Sequence, residues 1–219
     1  MSRRETLTKA DLVNIIGGIG DCMEANKAHL SKLDTEIGDG DHGFSMSQGF
    51  SSLRAKMDDF AAEDIGTLMK KCGFEMIKVI GGAAGAIFGT FFTAQASYYQ
   101  THLKGKEALT PADITGMFAE ALTQIKKRGG AQQGDKTLVD ALEPAVDELR
   151  RCLEKGLTLR EMFQKASLKA AQGAENTKSM VAKHGRAKYL AERSLGFIDP
   201  GSVSMSLIFK IIAENLNRK

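Results

Sequence analysis

Apolar residues recur every three or four positions along most of the chain, which is the spacing of amphipathic helices. The first stripe, Leu12 to Met23, follows Thr8 and Asp11, a pair that resembles a helix capping box. A kink is expected at Pro144 in the sixth of the predicted helices. The eight predicted helices lie at about 8–33, 44–58, 64–80, 84–102, 110–128, 137–155, 158–181 and 202–216.

The loops between these helices fall into two classes. Those after helices one, three, five and seven are rich in glycine and carry unusual polar residues, at 34–43, 81–83, 129–136 and 182–201. Those after helices two, four and six are short polar connectors. Alternate loops of an up-and-down antiparallel bundle lie at the same end. We therefore predict an all-α, single-domain bundle over residues 1–219, with a site where the four glycine-rich loops meet.

Composition excludes several other classes of protein. The 219 residues are 42% hydrophobic and 6% aromatic, with three prolines and no tryptophan, which argues against an all-β fold. A scattered net charge of +3 is too small to indicate a nucleic-acid partner. The uncharged stretch Val79–Leu103 is long enough to span a membrane, but its threonines, serine and glutamines are too polar. A buried helix is favoured there, and no membrane partner is expected.

Cysteine usage indicates a cytoplasmic protein. Cys22, Cys72 and Cys152 are odd in number and far apart, and each falls within a helical pattern. Reduced thiols are favoured over a disulfide framework. Arg3 and Arg4 are followed directly by further charged residues, a pattern that does not fit a signal peptide.

Three aspartates crowd the first glycine-rich loop. Asp34, Asp39 and Asp41 lie in LDTEIGDGDHG, residues 33–43. Crowded carboxylates repel one another unless a cation lies among them, and hard divalent ions such as Mg²⁺ take oxygen ligands together with substrate phosphates. A solvated acidic turn is the alternative interpretation. The glycine spacing also matches a dinucleotide-binding fingerprint, which is rejected because a helix and not a strand precedes it.

Two further loops could accommodate phosphate. The glycines and alanines at 81–85 open the fourth helix, where backbone N–H groups can approach anions, although tight helix packing explains them equally well. The loop 129–137 is of the same kind. Arg186 and Arg193 supply positive charge, with a surface role as the alternative. Residues 199–202 indicate a turn followed by a helix cap.

Four blocks of sequence resemble the L subunit family of dihydroxyacetone kinases, the nucleotide-binding half of these enzymes. The blocks are LDTEIGDGDHG, GGAAGAIFGTFF, GGAQQGDKT and GRAKYLAERSLGFIDPG, and they span nearly the whole chain. The resemblance implies an eight-helix antiparallel barrel with ADP or ATP and two Mg²⁺ ions at one end. It implies Asp34, Asp39 and Asp41 as metal ligands. The implied nucleotide contacts are His42, Gly43, Phe44, Ser45, Ala83, Ala84, Gly129, Leu138, Arg186, Asp199, Pro200 and Gly201.

The resemblance also implies a function. It is phosphoryl transfer to a short ketose such as dihydroxyacetone, held on a separate K subunit, with either a phosphotransferase-system phosphocarrier or ATP as donor. Ser45, Ala84 and Phe197 depart from the asparagine, serine and histidine of the family pattern. The alternatives are an ADP-loaded, non-catalytic regulator that docks on another protein, and an ATP-dependent kinase subunit for a related triose or tetrose. A homodimer is left open, and no residue of this chain is assigned as general base.

Overall fold

The computed structural model describes residues 6–217. Arg3 and Arg4, which belong to the charged pattern that does not fit a signal peptide, lie outside the described residues. The elements in chain order are β1 (Leu7–Thr8), α1 (Lys9–Ala25), α2 (Lys27–Ile37), α3 (His42–Ala55), α4 (Met57–Ala61), α5 (Ile65–Ile80), α6 (Gly82–Tyr98), a π-helical turn (Tyr99–Leu103), β2 (Ala108–Leu109), α7 (Pro111–Gly129), α8 (Val139–Glu154), α9 (Leu159–Asn176), 3₁₀ helices at Thr177–Ser179 and Arg186–Ser194, and α10 (Pro200–Asn217).

Eight of these helices close into a ring. α1 packs on α3 and α3 on α5, then α5 to α10 pack in sequence order, and α10 packs back on α1. α2 lies against α3 and α10, beside the ring. Since neighbours in the ring are neighbours in sequence, the arrangement is an up-and-down barrel. The all-α fold expected from the sequence is confirmed.

The starts of three helices are fixed by local hydrogen bonds. α1, α7 and α9 each begin with a complete capping box, from Thr8, Thr110 and Thr158. The two short strands pair antiparallel, with Leu7 opposite Leu109. This ladder holds the starts of α1 and α7 side by side, so the end of α7 and its glycines lie at the opposite end of the barrel.

Two predicted helices are each divided in the structure. The first ends at Ala25 and restarts as α2, and between them Asn26 has a φ of −99° and a ψ of 4°. The Asn26 side chain donates a 2.8 Å hydrogen bond to the carbonyl of Cys22, which also accepts the Asn26 backbone N–H. The second is interrupted at Lys56 between α3 and α4. α8 continues through Pro144 without a break in its helical assignment.

The barrel interior is filled by aromatic rings. The Phe118 ring lies 5.3–5.7 Å from the rings of Phe91, Phe163 and Phe209, measured between centroids, in tilted or edge-on geometry. All four side chains are buried. Such pairs contribute roughly 0.5–1.5 kcal/mol each beyond the area they bury, so this cluster joins α6, α7, α9 and α10 through the barrel centre.

The uncharged stretch Val79–Leu103 forms the end of α5, all of α6 and the π-helical turn. α6 packs between α5 and α7. A Cβ built on Gly73 would lie 2.8 Å from the carbonyl oxygen of Gly89, so the α5 and α6 backbones approach closely only because both residues are glycine. Within residues 6–217, no helix combines the length and hydropathy that a membrane crossing requires.

Candidate functional site

The four glycine-rich loops surround one cleft of about 670 Å³ at one end of the barrel. The ends of α2 and α7, the starts of α3, α6, α8 and α10, and residues 184–187 form its walls. Gly43 and Phe44 do not line it. The predicted site residues that line it are Asp34, Asp39, Asp41, His42, Ser45, Ala83, Ala84, Gly129, Leu138, Arg186, Asp199, Pro200 and Gly201.

The three aspartates converge at one side of the cleft. One carboxylate oxygen from each of Asp34, Asp39 and Asp41 lies within 4.8 Å of the other two. Asp34 was predicted in the loop but belongs to the last turn of α2, which continues to Ile37. Its carboxylate accepts a 3.1 Å hydrogen bond from the backbone N–H of His42. The helix and the start of α3 therefore fix Asp34, while the two other aspartates lie on the exposed turn.

The electrostatics of this cluster fit a divalent cation. Partial burial, together with the neighbouring charges of Asp39 and Asp34, raises the pKa of Asp41 despite the nearby Arg186. A bound cation would offset both the burial and the carboxylate repulsion that disfavour the ionised form of Asp41. Three oxygen donors on a small, partly exposed turn suit Mg²⁺, which keeps water and phosphate as its remaining ligands.

Arg186 connects the acidic turn to the opposite wall. Its Nη2 atom lies 2.8 Å from Asp39 Oδ2. Arg186 begins the 3₁₀ helix Arg186–Ser194, a segment that was expected to be a loop. Arg193, the other candidate cation, is exposed and does not line the cleft. Of the two arginines considered from the sequence, only Arg186 is positioned to face a ligand beside the aspartates.

The start of α6 presents backbone donors to the cleft. Gly81 and Gly82 have φ values of 66° and 54°, a region that favours glycine. These conformations turn the chain sharply from α5 into α6, so that Gly82, Ala83 and Ala84 line the cleft. First-turn N–H groups have no acceptor within their own helix, and the helix dipole adds positive potential there. The arrangement suits a phosphate group.

A buried acidic pair shapes the loop before α8. The Asp135 carboxylate accepts hydrogen bonds from Lys183 Nζ at 2.7 Å and Gln132 N at 2.7 Å. Burial opposes its ionisation, but the bonds from Lys183 and Gln132 outweigh this and lower the pKa of Asp135. The Asp140 carboxylate accepts the N–H groups of Gly134 and Thr137. These bonds hold Gly129 and Leu138, on either side of the loop, at the cleft wall.

Asp199 begins the turn into α10. Its backbone N–H donates a 2.9 Å hydrogen bond to Thr177 Oγ1, and its carboxylate accepts the N–H of Ser202 at 2.6 Å. Burial raises the pKa of Asp199 to about 7, against the effect of the Ser202 bond. A Cβ built on Gly201 would lie 3.2 Å from this carboxylate, so Gly201 allows it to stay close to the helix start.

The residues that follow the aspartates have different environments. The His42 ring is buried and its Nε2 lies 2.8 Å from Ser204 Oγ of α10. Burial lowers the pKa of His42 to about 4, so the ring is neutral at physiological pH. Gly43 is packed against α2, and Phe44 is half exposed under the ammonium of Lys27. Of Gly43, Phe44 and Ser45, only Ser45 lines the cleft.

Several cleft residues were not predicted as part of the site, among them Ile87, Ile125 and Lys136. The two isoleucines lie on apolar helix stripes, where the spacing predicts core packing. Lys136 lies in a loop and would ordinarily be exposed, yet only 2% of its surface is accessible. Nothing in the local sequence distinguishes it from a surface lysine.

Comparison with known proteins agrees with the site geometry. The DAK2 domain family matches residues 36–214. The chain is 36% identical to the ADP-binding subunit DhaL of the PEP-dependent dihydroxyacetone kinase of Escherichia coli (strain K12), over 95% of this chain and 97% of that protein. It is 32% identical to the corresponding subunit of the PTS-dependent enzyme of Lactococcus lactis, over 95% of this chain and 98% of that one.

A solved structure gives the same result. The dihydroxyacetone kinase of C. freundii, in complex with AMP-PNP and Mg²⁺, superimposes with a TM-score of 0.74 at 25% identity. The match covers 97% of this chain and 35% of that larger one. With the family match over most of its length and these relatives aligned nearly end to end, the chain belongs to the DAK2 domain family, as a dihydroxyacetone kinase L subunit.

Proposed function

We propose that the chain binds ADP or ATP through two Mg²⁺ ions and passes a phosphoryl group to a short ketose carried by a separate K subunit. One observation carries this proposal: three convergent aspartates, an arginine and an uncapped helix start share one cleft. The relative from C. freundii was crystallised with AMP-PNP and Mg²⁺, which supports the same ligands here.

Each part of the cleft has a separate role. Asp34, Asp39 and Asp41 hold the metal, which neutralises negative charge on the phosphates when bound. The N–H groups at the start of α6 orient the phosphate oxygens. Arg186, paired with Asp39 at 2.8 Å, can exchange this partner for the transferring group, since guanidinium is well suited to phosphate. Positioning and charge stabilisation are the main requirements of phosphoryl transfer.

The acid–base step is assigned to the sugar-holding K subunit. His42 is not available as a base because its ring is hydrogen-bonded to Ser204 and burial lowers its pKa to about 4. The aspartates are committed to the metal. A substrate hydroxyl that arrives on a second protein would bring its own base, which explains why this cleft opens to solvent at the metal side.

The names of the relatives support a phosphoprotein donor. The proteins that this chain covers almost end to end include enzymes described as PEP-dependent or PTS-dependent. We therefore propose that ADP stays bound as a cofactor and is rephosphorylated by a phosphotransferase-system phosphocarrier. An L-erythrulose kinase of Pectobacterium atrosepticum, 33% identical over 90% of this chain, makes a tetrose the second candidate substrate.

Reconstitution tests the proposal. The chain is combined with its cognate K subunit and either dihydroxyacetone or erythrulose, with ATP alone or with the complete phosphotransferase donors. We expect sugar phosphate only with the phosphotransferase donors, and loss of product in Asp39→Asn but not in Asp58→Asn, an exposed control on α4. Turnover with ATP alone would reject the fixed-cofactor mechanism. Partner binding without turnover under any condition would favour the non-catalytic regulator.

A further inference from the structure

Lys136 combines two unfavourable features at one position. Its ammonium-bearing side chain is almost completely buried, and its backbone has a φ of 59°, in the left-handed region that residues other than glycine rarely adopt. Each feature costs free energy unless the surroundings compensate. Lys136 also lines the nucleotide cleft, between Gly129 and Leu138 in sequence. Strain of this kind at a cleft needs a structural reason.

The contacts of the ammonium supply that reason. Lys136 Nζ donates a 2.6 Å hydrogen bond to the carbonyl oxygen of Thr177, at the start of the short 3₁₀ helix that follows α9. It donates a second to the carbonyl oxygen of Phe197, in the segment that leads to α10. The two acceptors lie twenty residues apart, so the Lys136 side chain links the end of α9 to the segment that precedes α10.

The two hydrogen bonds from Lys136 to the carbonyls of Thr177 and Phe197 are called the clasp below. Thr177 connects this clasp to the cleft wall. Its hydroxyl accepts the backbone N–H of Asp199 at 2.9 Å and donates to the carbonyl of Ala174 at 2.6 Å. The Asp199 carboxylate then caps α10 through the N–H of Ser202. A continuous chain of hydrogen bonds therefore runs from Lys136 to the turn 199–201, which lines the cleft.

Charge reinforces the same arrangement. Burial lowers the pKa of Lys136, while the negative charges of Asp199 and Asp140 oppose the effect. Asp140 also holds the loop that contains Lys136, through the N–H groups of Gly134 and Thr137. The charge of the buried ammonium thus offsets part of the repulsion between the carboxylates of Asp140 and Asp199.

We propose that Lys136 is a positioning residue of the nucleotide site: it clasps the carbonyl oxygens of Thr177 and Phe197 and so sets the turn 199–201 against the bound nucleotide. It does not touch the ligand. The inference rests on the proposed function for the identity of the ligand, Mg·ADP. The clasp itself can be tested without nucleotide.

The test uses the full chain with Lys136→Met, which keeps most of the side-chain volume and removes the charge and donors. Lys178→Met is the matched control, because Lys178 is exposed, pairs with Glu175 beside Thr177 and does not line the cleft. Leu109→Ala, at the other end of the barrel, controls for general destabilisation. Mg·ADP affinity is measured by calorimetry, and amide hydrogen exchange of residues 197–202 is measured without nucleotide.

We expect Lys136→Met to weaken Mg·ADP binding at least tenfold and to accelerate exchange at 197–202 more than Leu109→Ala does, whereas both controls keep Mg·ADP affinity within about twofold of wild type. Wild-type affinity and unchanged exchange in folded Lys136→Met would overturn the proposal. If that variant does not fold, Thr177→Val decides, because it removes the hydroxyl that accepts Asp199 N–H and donates to Ala174 but keeps the carbonyl that Lys136 binds. A threefold or greater loss of affinity supports the clasp, and no loss rejects it.

Failure of the wild-type chain to bind Mg·ADP would reject the proposed function alone, since amide exchange still reports on the clasp.

Discussion

Replacing Gly43 by alanine should damage both the fold and the metal site. A Cβ built on Gly43 would lie 2.0 Å from the carbonyl oxygen of Lys27 and 2.6 Å from the backbone nitrogen of Ser31. Both atoms belong to the α2 backbone and cannot rotate away. Because an unstrained carbon–oxygen contact is about 3.3 Å, α2 must move by roughly 1 Å relative to α3.

The magnitude follows from two opposing effects. Overpacking of this kind costs about 1–3 kcal/mol, and the upper part of that range applies because the obstruction is backbone. Alanine recovers up to about 1 kcal/mol of helix propensity. We therefore expect a net loss of about 1–2 kcal/mol in the free energy of unfolding.

The same displacement acts on the site. α2 carries Asp34, whose carboxylate is held by the N–H of His42 at 3.1 Å. A shift of roughly 1 Å breaks this bond and spreads the three aspartates, whereas Mg²⁺ requires near-ideal octahedral geometry with ligands at about 2.0–2.1 Å. We expect Mg·ADP affinity to fall at least tenfold, which corresponds to about 1.4 kcal/mol.

Urea unfolding and calorimetry measure the two effects. Gly17→Ala is the control, because it lies in α1 with no atom within 4 Å of the added Cβ and should stabilise by about 0.5–1 kcal/mol. If Gly43→Ala were as stable as Gly17→Ala and bound Mg·ADP with wild-type affinity, the close packing of α2 on α3 would not support the metal site.

Three further outcomes are expected. Asp41→Asn should leave the metal-free protein at least as thermostable as wild type, because it removes a charge that burial and the neighbouring Asp39 and Asp34 both disfavour, but it should abolish the stabilisation that Mg·ADP adds in a melting assay. Ala84→Ser restores a hydroxyl at the start of α6 and should tighten Mg·ADP binding about fivefold, the equivalent of one hydrogen bond of about 1 kcal/mol, whereas unchanged affinity would show that the hydroxyl does not reach the phosphates. The pKa of Asp113 is lowered despite burial, through bonds from Lys106 and Thr110, so its stabilisation is present at neutral pH and is lost as pH falls through the lowered value. Asp113→Asn should cost about 1–3 kcal/mol at pH 7 in urea unfolding, and the cost should shrink progressively as pH falls below the ordinary range of a carboxyl group.

The helices were predictable where local signals determine them. The capping boxes at Thr8, Thr110 and Thr158 and the apolar stripes depend on residues three or four positions apart, so the sequence shows where helices begin and predicts an all-α bundle with its glycine-rich loops at one end. The closed barrel came from the resemblance. The break at Asn26 was missed because a polar side chain within an apolar stripe does not reveal whether it bonds to its own helix.

The site was predictable to the extent that its chemistry is concentrated in short motifs. Asp34, Asp39 and Asp41 are crowded in sequence, so their convergence could be expected. Gly43 and Lys136 could not be understood in that way. Gly43 must lack a Cβ because the α2 backbone lies directly against it. Lys136 is buried because it donates hydrogen bonds to carbonyl groups about 40 and 60 residues further along the chain. Their roles depend on tertiary neighbours that no local pattern records.

The distribution of charge supports the proposal that metal and nucleotide bind together in this cleft. The starts of α3, α6, α8 and α10 all border it, and helix starts favour anions. The three aspartates on one side disfavour anions, and within the part of the chain that the structure describes only Arg186 is paired with them. A phosphate alone would meet repulsion at the acidic turn, and a metal alone would leave the uncapped start of α6 without an anion. A metal–nucleotide complex satisfies both halves at once, so each component increases the affinity for the other.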